Sequence, residues 1–281
     1  MHLNLNTVTQ ESLRQQIIDV GFCIVEPDTL AELLQLRMQD LLQLDKYWED
    51  LHQDKFLKDH GAYRSRRHSS YVVDNGLTHL TPHRAHWQST EYNALHGGIK
   101  RLFEPIDEEL NSSTVWLQII SGVAKLVDGI QKNDQWYTEA HQFRINTSNG
   151  LGRPTPEGAH RDGVDYVAII LIKRAFIKGG ETRIFEINGN EGIRFTLDKP
   201  WTMLLLDDRR LIHETTPIQA QGGCGFRDTL VLQVEAPVKK LSRHVVIALN
   251  HLNQRREALL AKRAVLNKEI EELDAAILAL E

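Results

Sequence analysis

The chain has 281 residues, of which 41% are hydrophobic, and this is enough for one large domain or two small ones with a proper core. Its 33 basic and 38 acidic residues leave a net charge of -5, which argues against chain-wide attraction to nucleic acid or anionic membranes. The two cysteines are too few for a disulfide framework, and the apolar runs are too short to span a membrane. We therefore expect a cytoplasmic protein with neither nucleic acid nor membrane as a partner.

The first 135 residues predict helices and strands that flank a later core. Residues 8 to 60 indicate mainly helix, interrupted by the short strand "GFCIVEP", which ends at Pro27. A second helix is expected after it, capped by Asp28. Residues 61 to 100 are polar and predict strands and loops, and a further helix is expected around residues 105 to 131.

Residues 136 to 240 have a different pattern, with short β-type runs separated by turn signals such as "KGGE" and "NGNEG". The runs are "HQFRINTS", "DYVAIILIKRAF", "ETRIFEI", "GIRFTL", "WTMLLLD", "LIHETTPI" and "DTLVLQVE". Because no helical stretch separates them, they favour an antiparallel sandwich or barrel over β-α-β units. This segment is the predicted catalytic core.

Residues 241 to 281 predict a long amphipathic helix, because leucines recur every seven residues from Leu252 to Leu280. A full coiled coil needs apolar residues at both seam positions, yet Arg256 and Arg263 occupy the second column. Packing against its own domain and packing against another subunit, as in a homo-oligomer, both stay open.

The stretch "PEGAHRDGVDYVAIILI", residues 156 to 172, leads from a charged entry into an apolar strand. His160 and Asp162 lie two residues apart at its start, and in an extended chain both side chains point to one face. His52 and Asp54 have the same spacing, but their polar stretch is predicted to be helical, where positions i and i+2 do not face each other. The spacing alone is a weak signal, and only the first pair has the geometry for a shared metal ion.

A mononuclear iron site of this kind needs a third ligand and leaves positions open for a cosubstrate and oxygen. His213, in "LLLDDRRLIHETTPI", is the candidate, because two hairpins of a closed sheet can return the chain beside its starting strand. A hydrogen-bonded core histidine is the alternative interpretation.

Arg227 and Thr229 alternate onto one face of the strand "GFRDTLVLQVE". An arginine that points into an apolar interior needs an anion, and a guanidinium binds a carboxylate through two parallel hydrogen bonds, to which a hydroxyl can add another. The alternative is an edge-strand arginine paired with Asp228 or Glu235.

The ordered set of His160-x-Asp162, His213 and Arg227-x-Thr229 resembles the Fe(II)/2-oxoglutarate-dependent dioxygenases. The segments "PEGAHRDGVDYVAIILIKR", "GGET" and "LLLDDRRLIHETTPI" resemble more narrowly the bacterial 2OG-Fe dioxygenase group that includes the free L-isoleucine 4-hydroxylases. The resemblance covers about residues 60 to 237. It implies a double-stranded β-helix, a jelly-roll or cupin-like barrel, which together with the N-terminal helices and the long C-terminal helix gives an α+β fold.

The resemblance also implies an activity: Fe(II), 2-oxoglutarate and O2 are used to hydroxylate an sp3 carbon of a free L-amino acid, with release of succinate and CO2. By this resemblance, His160, Asp162 and His213 bind Fe(II), while Arg227, helped by Thr229, binds the distal carboxylate of 2-oxoglutarate. Halogenating relatives are expected to replace the acid with a small residue, so the retained Asp162 favours hydroxylation. Desaturation and cyclisation stay open.

Further candidates surround these residues. In "HQFRINTS", Gln142, Arg144 and Asn146 share one face. If that face is interior, either Arg144 is a candidate to bind a substrate carboxylate, or Gln142 and Asn146 are candidates to bond the metal-bound end of the keto acid; a solvated face is the alternative. Glu157 is a candidate for a substrate ammonium group, although a loop glutamate is more often plain surface. Arg64 and Arg66 are candidates for a substrate lid, or else belong to an exposed strand. The remaining signal is a weak one: the histidines at 83 and 86 have helical ligand spacing but follow a proline.

Two other functions compete with amino acid hydroxylation. One is the same iron chemistry on another small molecule or a peptide, lipid or nucleic-acid base. The other is a non-catalytic cupin-like barrel that binds a metal or a small anion as a sensor.

Overall fold

A computed structural model of the chain describes residues 9–59, 61–93, 95, 97–189 and 191–237, and also 259, 262, 263, 266–268 and 270. Contacts divide the chain into two units, Met1–Ala236 and Pro237–Glu281. None of the helices among these residues is long and apolar enough to cross a membrane.

The helices of the first unit lie before residue 131. They are α1 (Gln10–Val20), α2 (Pro27–Leu33), α3 (Met38–Leu42), a 3-10 turn (Asp45–Trp48), α4 (Glu108–Ser112) and α5 (Thr114–Ile130). The expected helix around residues 105 to 131 is thus present as α4 and α5. At the start of α1, the Thr9 side chain accepts a hydrogen bond from the backbone N–H of Ser12 and so satisfies one of the unpaired amides of the first turn.

The structure differs from the N-terminal prediction in three places. The second helix begins at Pro27 rather than after a cap at Asp28, because proline has no N–H and suits the first helical position. It is also broken into α2 and α3 at Gln35, whose φ of 57° is left-handed. The stretch that contains His52 and Asp54 is loop with an isolated β-bridge at Gln53, not helix.

The strands among the described residues fall into three sheets. They are β1 (Phe22–Val25), β2 (Arg64–Asp74), β3 (Leu77–Leu80), β4 (Gln135–Asn146), β5 (Tyr166–Ala175), β6 (Ile177–Gly179), β7 (Glu181–Glu186), β8 (Gly192–Thr196), β9 (Met203–Asp207), β10 (Leu211–Thr215), β11 (Ile218–Ala220) and β12 (Phe226–Glu235). The large sheet has the order β1-β9-β5-β12-β4-β2-β3, and the smaller sheets are β10-β7-β8 and β11-β6. All the strand pairs are antiparallel.

The antiparallel architecture with a few helices confirms the sequence prediction in its coarse form, and each of the seven predicted runs contains a strand. The large sheet extends beyond the predicted core, because β1, β2 and β3 precede residue 136 and yet belong to it.

The two faces of the large sheet have different neighbours. On one face, residues such as Ile170 and Leu230 pack in a large apolar cluster with side chains of α1, α2 and α5. On the other face, Ile169 joins a second cluster with Ile184 of β7 and Leu211 of β10. This burial on both sides explains why β5 is an almost unbroken apolar run. The candidate site lies on the second face, beyond this cluster.

In the second unit, the described residues at 259, 262, 263, 266–268 and 270 are helical, and the side chains of Leu259, Leu266 and Ile270 are exposed. The other positions of the predicted C-terminal helix, including Leu252, Arg256, Leu273 and Leu280, lie outside the described residues. The long helix therefore stays a prediction.

Candidate active site

The structure brings His160, Asp162 and His213 together at one end of a cavity. His213 is on β10, and the loop before β5 runs beside it. The backbone of His160 donates to the carbonyl of His213 at 3.0 Å and accepts from the His213 N–H at 2.9 Å. This isolated β-bridge joins two residues that are 53 positions apart in the sequence. It places the centroids of their imidazole rings 4.6 Å from each other.

The three side chains present atoms that one metal ion can contact. The Nε2 atom of His160 is 3.8 Å from Oδ1 of Asp162, and Nε2 of His213 is 3.9 Å from Oδ2. These distances exceed those of hydrogen bonds but suit groups that share an ion with bond lengths of about 2 Å. The Nδ1 atom of His160 donates to the carbonyl of Gly158 at 3.0 Å, so the lone pair is on Nε2, on the side of the carboxylate. The donor set therefore fits the 2-His-1-carboxylate triad of non-haem Fe(II) enzymes.

Burial governs the protonation of these groups. It lowers the pKa of His213 well below its usual value, and the neighbouring His160 adds to this effect. Burial raises the pKa of Asp162. Burial also acts to lower the pKa of His160, but the carboxylates of Glu157 and Asp162 outweigh it, so that this pKa is raised overall. A cation among the three groups would stabilise the carboxylate and use neutral imidazoles as ligands.

Neighbouring side chains hold Asp162 in place. Gln88 Nε2 donates to Oδ1 of Asp162 at 3.0 Å, and Gln233 also hydrogen-bonds this carboxylate. The Asp208 carboxylate accepts three backbone N–H groups, those of residues 162, 163 and 164, at 3.0, 2.7 and 3.1 Å. At Gly163 φ is +84°, and a Cβ there would overlap the ring of Tyr92, so only glycine suits this turn. Gln88 was not singled out from the sequence, because it lies in an irregular polar loop.

Arg227 and Thr229 project from β12 into the same cavity, and both are buried. Within the part of the chain that the structure describes, neither Nε nor Nη2 of Arg227 has a hydrogen-bond partner. Burial, with the nearby Arg174, lowers the pKa of Arg227 to about 10. The alternative pairing with Asp228 does not form, because Asp228 accepts two hydrogen bonds from Arg144, at 2.8 and 2.7 Å. The unpaired guanidinium is therefore disposed to bind an anion.

The face of β4 that contains Gln142 and Arg144 is not the face that lines the cavity. The residues that line the cavity are His141, Phe143 and Ile145, whereas Gln142 and Arg144 point to the opposite face. Gln142 Nε2 donates to the backbone carbonyl of Tyr47 at 3.1 Å, so the assignment of Gln142 to the cofactor is corrected. Arg144 is neutralised by Asp228, so its assignment to a substrate carboxylate is corrected as well.

Arg64 and Arg66 form part of the cavity wall on β2 rather than a lid or an exposed strand, since both are about 4% exposed. Nε and Nη2 of Arg64 lie 2.9 and 2.8 Å from Oδ2 of the buried Asp54. Arg66 is further from this carboxylate, with Nη1 at 3.8 Å. Asp54, whose pair with His52 is not predicted to share a metal ion, thus neutralises Arg64 in the cavity wall. Glu157 also lines the cavity, with its Oε1 atom 3.6 Å from Nε2 of His160.

A second group of metal-ligand residue types lies beside the first, formed by His68, His86, Glu139 and His141. We call it the Glu139 cluster. Nδ1 of His86 and Nε2 of His68 lie 2.5 and 3.1 Å from Oε2 of Glu139, and Tyr137 donates to Oε1 at 3.1 Å. Burial lowers the pKa values of all three histidines, that of His86 to about 4. Neutral imidazoles therefore surround one carboxylate as hydrogen-bond donors.

One contact distinguishes the Glu139 cluster from a metal site. Nη2 of Arg66 lies 2.6 Å from Nδ1 of His141, and a guanidinium is only a donor, so this nitrogen is the acceptor. The proton of neutral His141 is then on Nε2, which lies 3.3 Å from Oε1 of Gln233 and 3.6 Å from Glu139. A protonated nitrogen cannot ligate a metal. The cluster is instead a hydrogen-bonded support for Arg66.

Comparisons with known proteins agree with this geometry. The 2OG-Fe dioxygenase family profile matches residues 45–233, which is more than half of the chain. The structure of a bsmA homologue from Methylobium petroleophilum PM1 is 42% identical, covers 84% of this chain and 97% of its own, and gives a TM-score of 0.79.

Two more distant structures share the fold. IDO from Bacillus thuringiensis is 20% identical, with a TM-score of 0.67 and coverage of 82% of this chain and 100% of that chain. The Fe(II)/α-ketoglutarate-dependent dioxygenase TqaL is 19% identical, with a TM-score of 0.64 and coverage of 82% and 88%. A comparison with curated protein sequences gives no match. With its family profile and its 42% identical relative, the chain belongs to the 2OG-Fe dioxygenase family, an oxidoreductase family that uses Fe(II), 2-oxoglutarate and O2.

Proposed function

We propose that the protein hydroxylates an sp3 carbon of a free L-amino acid and converts 2-oxoglutarate and O2 into succinate and CO2. One observation carries the proposal: a single buried cavity contains both the His160, Asp162 and His213 group and the unpaired guanidinium of Arg227. The first fits Fe(II), and the second fits the distal carboxylate of 2-oxoglutarate.

The chain supplies positioning to this chemistry. His160 and His213 would hold the metal through neutral imidazoles, and Asp162 would offset part of its charge. The bound iron supplies the activation of oxygen that leads to oxidation of a C–H bond. Gln88, Gln233 and Asp208 fix the direction of the Asp162 carboxylate, which is the role of outer hydrogen bonds at metal sites. Thr229 would add a hydrogen bond to the carboxylate bound by Arg227.

A zwitterionic amino acid suits the charges of the cavity. The lining contains arginines and the carboxylate of Glu157, whose Oε2 atom is buried and finds no partner among the residues described. An ammonium group would satisfy this oxygen, because a buried polar atom without a partner is costly. The carboxylate of Asp162 favours hydroxylation over halogenation, because halogenating relatives are expected to have a small residue in its place.

The architecture around the site, the oligomeric state and the location of the protein extend the proposal. We propose that the three sheets form the double-stranded β-helix of this enzyme class, with residues 136 to 240 as its catalytic part, 1 to 135 as flanking elements and 241 to 281 as a separate helix. We also propose that the protein forms a homo-oligomer through that helix and is cytoplasmic.

The substrate can be identified by one screen. Purified protein with Fe(II), ascorbate and 2-oxoglutarate should be incubated with each proteinogenic L-amino acid, with succinate measured and products analysed by mass spectrometry. We expect one or a few amino acids to gain a single oxygen in step with succinate. Succinate release without any oxygenated amino acid would exclude this substrate class while leaving the iron chemistry intact.

A further inference from the structure

The cavity holds a second guanidinium region, separate from Arg227. Strand register shows the separation: Arg227 of β12 is paired with Ile145 of β4, which is paired in turn with Arg64 of β2, and in the next row inward Thr229, Phe143 and Arg66 follow one another. Neighbouring strands lie about 4.8 Å apart, so the Cα atoms of β2 are about 10 Å from those of β12. Phe143 and Ile145 line the cavity between the two regions.

The hydrogen bonds of the arginines in this second region are unequal. The carboxylate of Asp54 already occupies the Nε side of Arg64. Arg66 differs, because no residue in the described ranges accepts a hydrogen bond from its buried Nε. The same holds, over those ranges, for Nε of Arg101, a cavity residue that is 2% exposed. Two buried guanidiniums with unused N–H groups therefore adjoin one space.

The surroundings hold Arg66 rigidly. Its guanidinium carbon lies 3.6 Å from the ring centre of Phe103 and 4.5 Å from that of Phe143. Its Nη2 atom donates to Nδ1 of His141, which belongs to the Glu139 cluster. Arg101 is also fixed, since its Nη2 atom donates to Oε1 of Gln88 at 3.0 Å. Because both groups are held before a ligand arrives, little conformational entropy remains to be lost on binding.

We propose that Arg66 and Arg101 together bind the α-carboxylate of the substrate, while Glu157 binds its ammonium group. The inference rests on the proposed function and narrows it: the enzyme recognises the amino acid end of its substrate and requires a free carboxylate there. Arg101 lies within electrostatic reach of Glu157 and Asp162, so the two charges of a zwitterion would meet opposite charges close to the metal ligands.

The arrangement also links substrate binding to the metal site. Gln88 accepts a hydrogen bond from Arg101 through Oε1 and donates one to Asp162 through Nε2, so its amide orientation is fixed from both ends. Gln233 similarly accepts from His141 and hydrogen-bonds Asp162. Arg101 is thus connected to the iron-binding carboxylate through Gln88, and Arg66 is connected to it through His141 and Gln233.

The test uses each proteinogenic L-amino acid and its carboxamide, which keeps the side chain and the ammonium group and removes only the negative charge. Succinate release and the anaerobic shift of the Fe(II) and 2-oxoglutarate visible band are measured for both. We expect the best amino acid to have a kcat/KM about 100-fold above that of its amide, because a buried charge pair is lost. An amide as good as the acid would overturn the proposal.

Variants then locate the effect. Arg66→Gln and Arg101→Gln should each lower kcat/KM for the acid about 100-fold and so narrow the preference for the acid over the amide. Arg183→Gln, on the partly exposed β7 residue that pairs with Glu181, is the matched control and should change neither value. Unchanged acid turnover in both cavity variants would contradict the assignment.

Two outcomes distinguish a failure of the proposed function from a failure of the substrate-carboxylate assignment. If wild-type protein with Fe(II) turns over no 2-oxoglutarate under any condition, the proposed function fails. If it turns over 2-oxoglutarate but is indifferent to the carboxylate of its substrate, only the present inference fails. Should either glutamine variant not fold, Arg66→Lys and Arg101→Lys retain the charge without the planar fork, and a smaller loss of acid preference is expected from them.

Discussion

The metal group (His160, Asp162 and His213) lines the cavity, and the Glu139 cluster reaches the same cavity through His86 and His141. The two groups differ in where their protons are. In the metal group, Nδ1 of His160 donates to a backbone carbonyl, so its lone pair is on the side of Asp162. In the Glu139 cluster, imidazole N–H groups surround the carboxylate, and the outer nitrogen of His141 accepts from Arg66. Residue types alone would make both groups metal sites. Their outer hydrogen bonds favour iron binding by the first group and the support of an arginine by the second.

The largest expected effect comes from removing a ligand of the metal group. His213→Ala should lower Fe(II) affinity by more than the factor of about 10–100 that is typical of outer-sphere changes, and should abolish succinate formation. Isothermal titration with Fe(II) under anaerobic conditions measures the affinity. His79→Ala, at an exposed histidine on β3, is the matched control and should bind iron as the wild type does. Tight iron binding by His213→Ala would contradict the ligand assignment.

A substitution at Arg227 tests the binding of the cosubstrate 2-oxoglutarate. Arg227→Gln should raise the KM for 2-oxoglutarate by about 100-fold, roughly 3 kcal/mol, because a buried carboxylate loses its charged partner. Arg144→Gln is the control on the opposite face of the same sheet, where it removes the ion pair with Asp228 and the contact with the Phe226 ring. It should lower the free energy of unfolding and leave the KM for 2-oxoglutarate unchanged. Equal effects of the two variants on this KM would remove the case for Arg227.

The buried His86 of the Glu139 cluster makes the free energy of unfolding depend on pH. Burial lowers the pKa of His86 to about 4, so below the unfolded value of about 6.5 the unfolded chain binds a proton that the folded chain excludes. The stability linked to His86 is therefore present above pH 6.5 and is lost as pH falls towards 4, by about 2 kcal/mol between pH 7.5 and 5. Urea denaturation of the iron-free protein across this range measures it. The pH dependence should be shallower in His86→Gln, and an unchanged slope would argue against a buried neutral imidazole.

The smallest expected effect concerns the hydrogen bond that positions the Asp162 carboxylate. Gln88→Ala removes the donor to Asp162 and leaves the three ligands intact, so Fe(II) affinity should fall about 10-fold. Gln39→Ala, on the exposed side of α3, should have no effect. If Gln88→Ala binds iron as tightly as the wild type, the glutamine does not position the carboxylate.

The metal group could be predicted from the sequence because its signals are local and ordered along the chain. The pair at 160 and 162 opens an apolar strand, and His213 and Arg227 lie in strands with clear alternation. The faces of β4 could not be chosen in the same way, since both contain polar residues. Gln142 and Arg144 are candidates only if their face is interior, and nothing in the sequence shows that Asp228 neutralises that arginine across the strand pair.

The Glu139 cluster was missed for a related reason. Its members come from β2, β4 and the loop at residue 86, and only the pairing of β2 with β4 brings His68 opposite His141. Arg101 and Gln88 lie in an irregular segment without hydrophobic period, where single residues have no assigned direction. Long-range strand pairing decides these contacts, and a sequence pattern records only which residues share a face.

The central claim is that iron binds to the first group and not to the second. The measurement is the number of Fe(II) ions bound per chain after anaerobic loading with 2-oxoglutarate, in the wild type, His160→Gln and His86→Gln. We predict one ion, close to none and one ion, respectively, because His160 directs an unprotonated nitrogen towards Asp162, whereas His86 directs its N–H towards Glu139. Two ions in the wild type, or one ion kept by His160→Gln and lost by His86→Gln, would contradict the account.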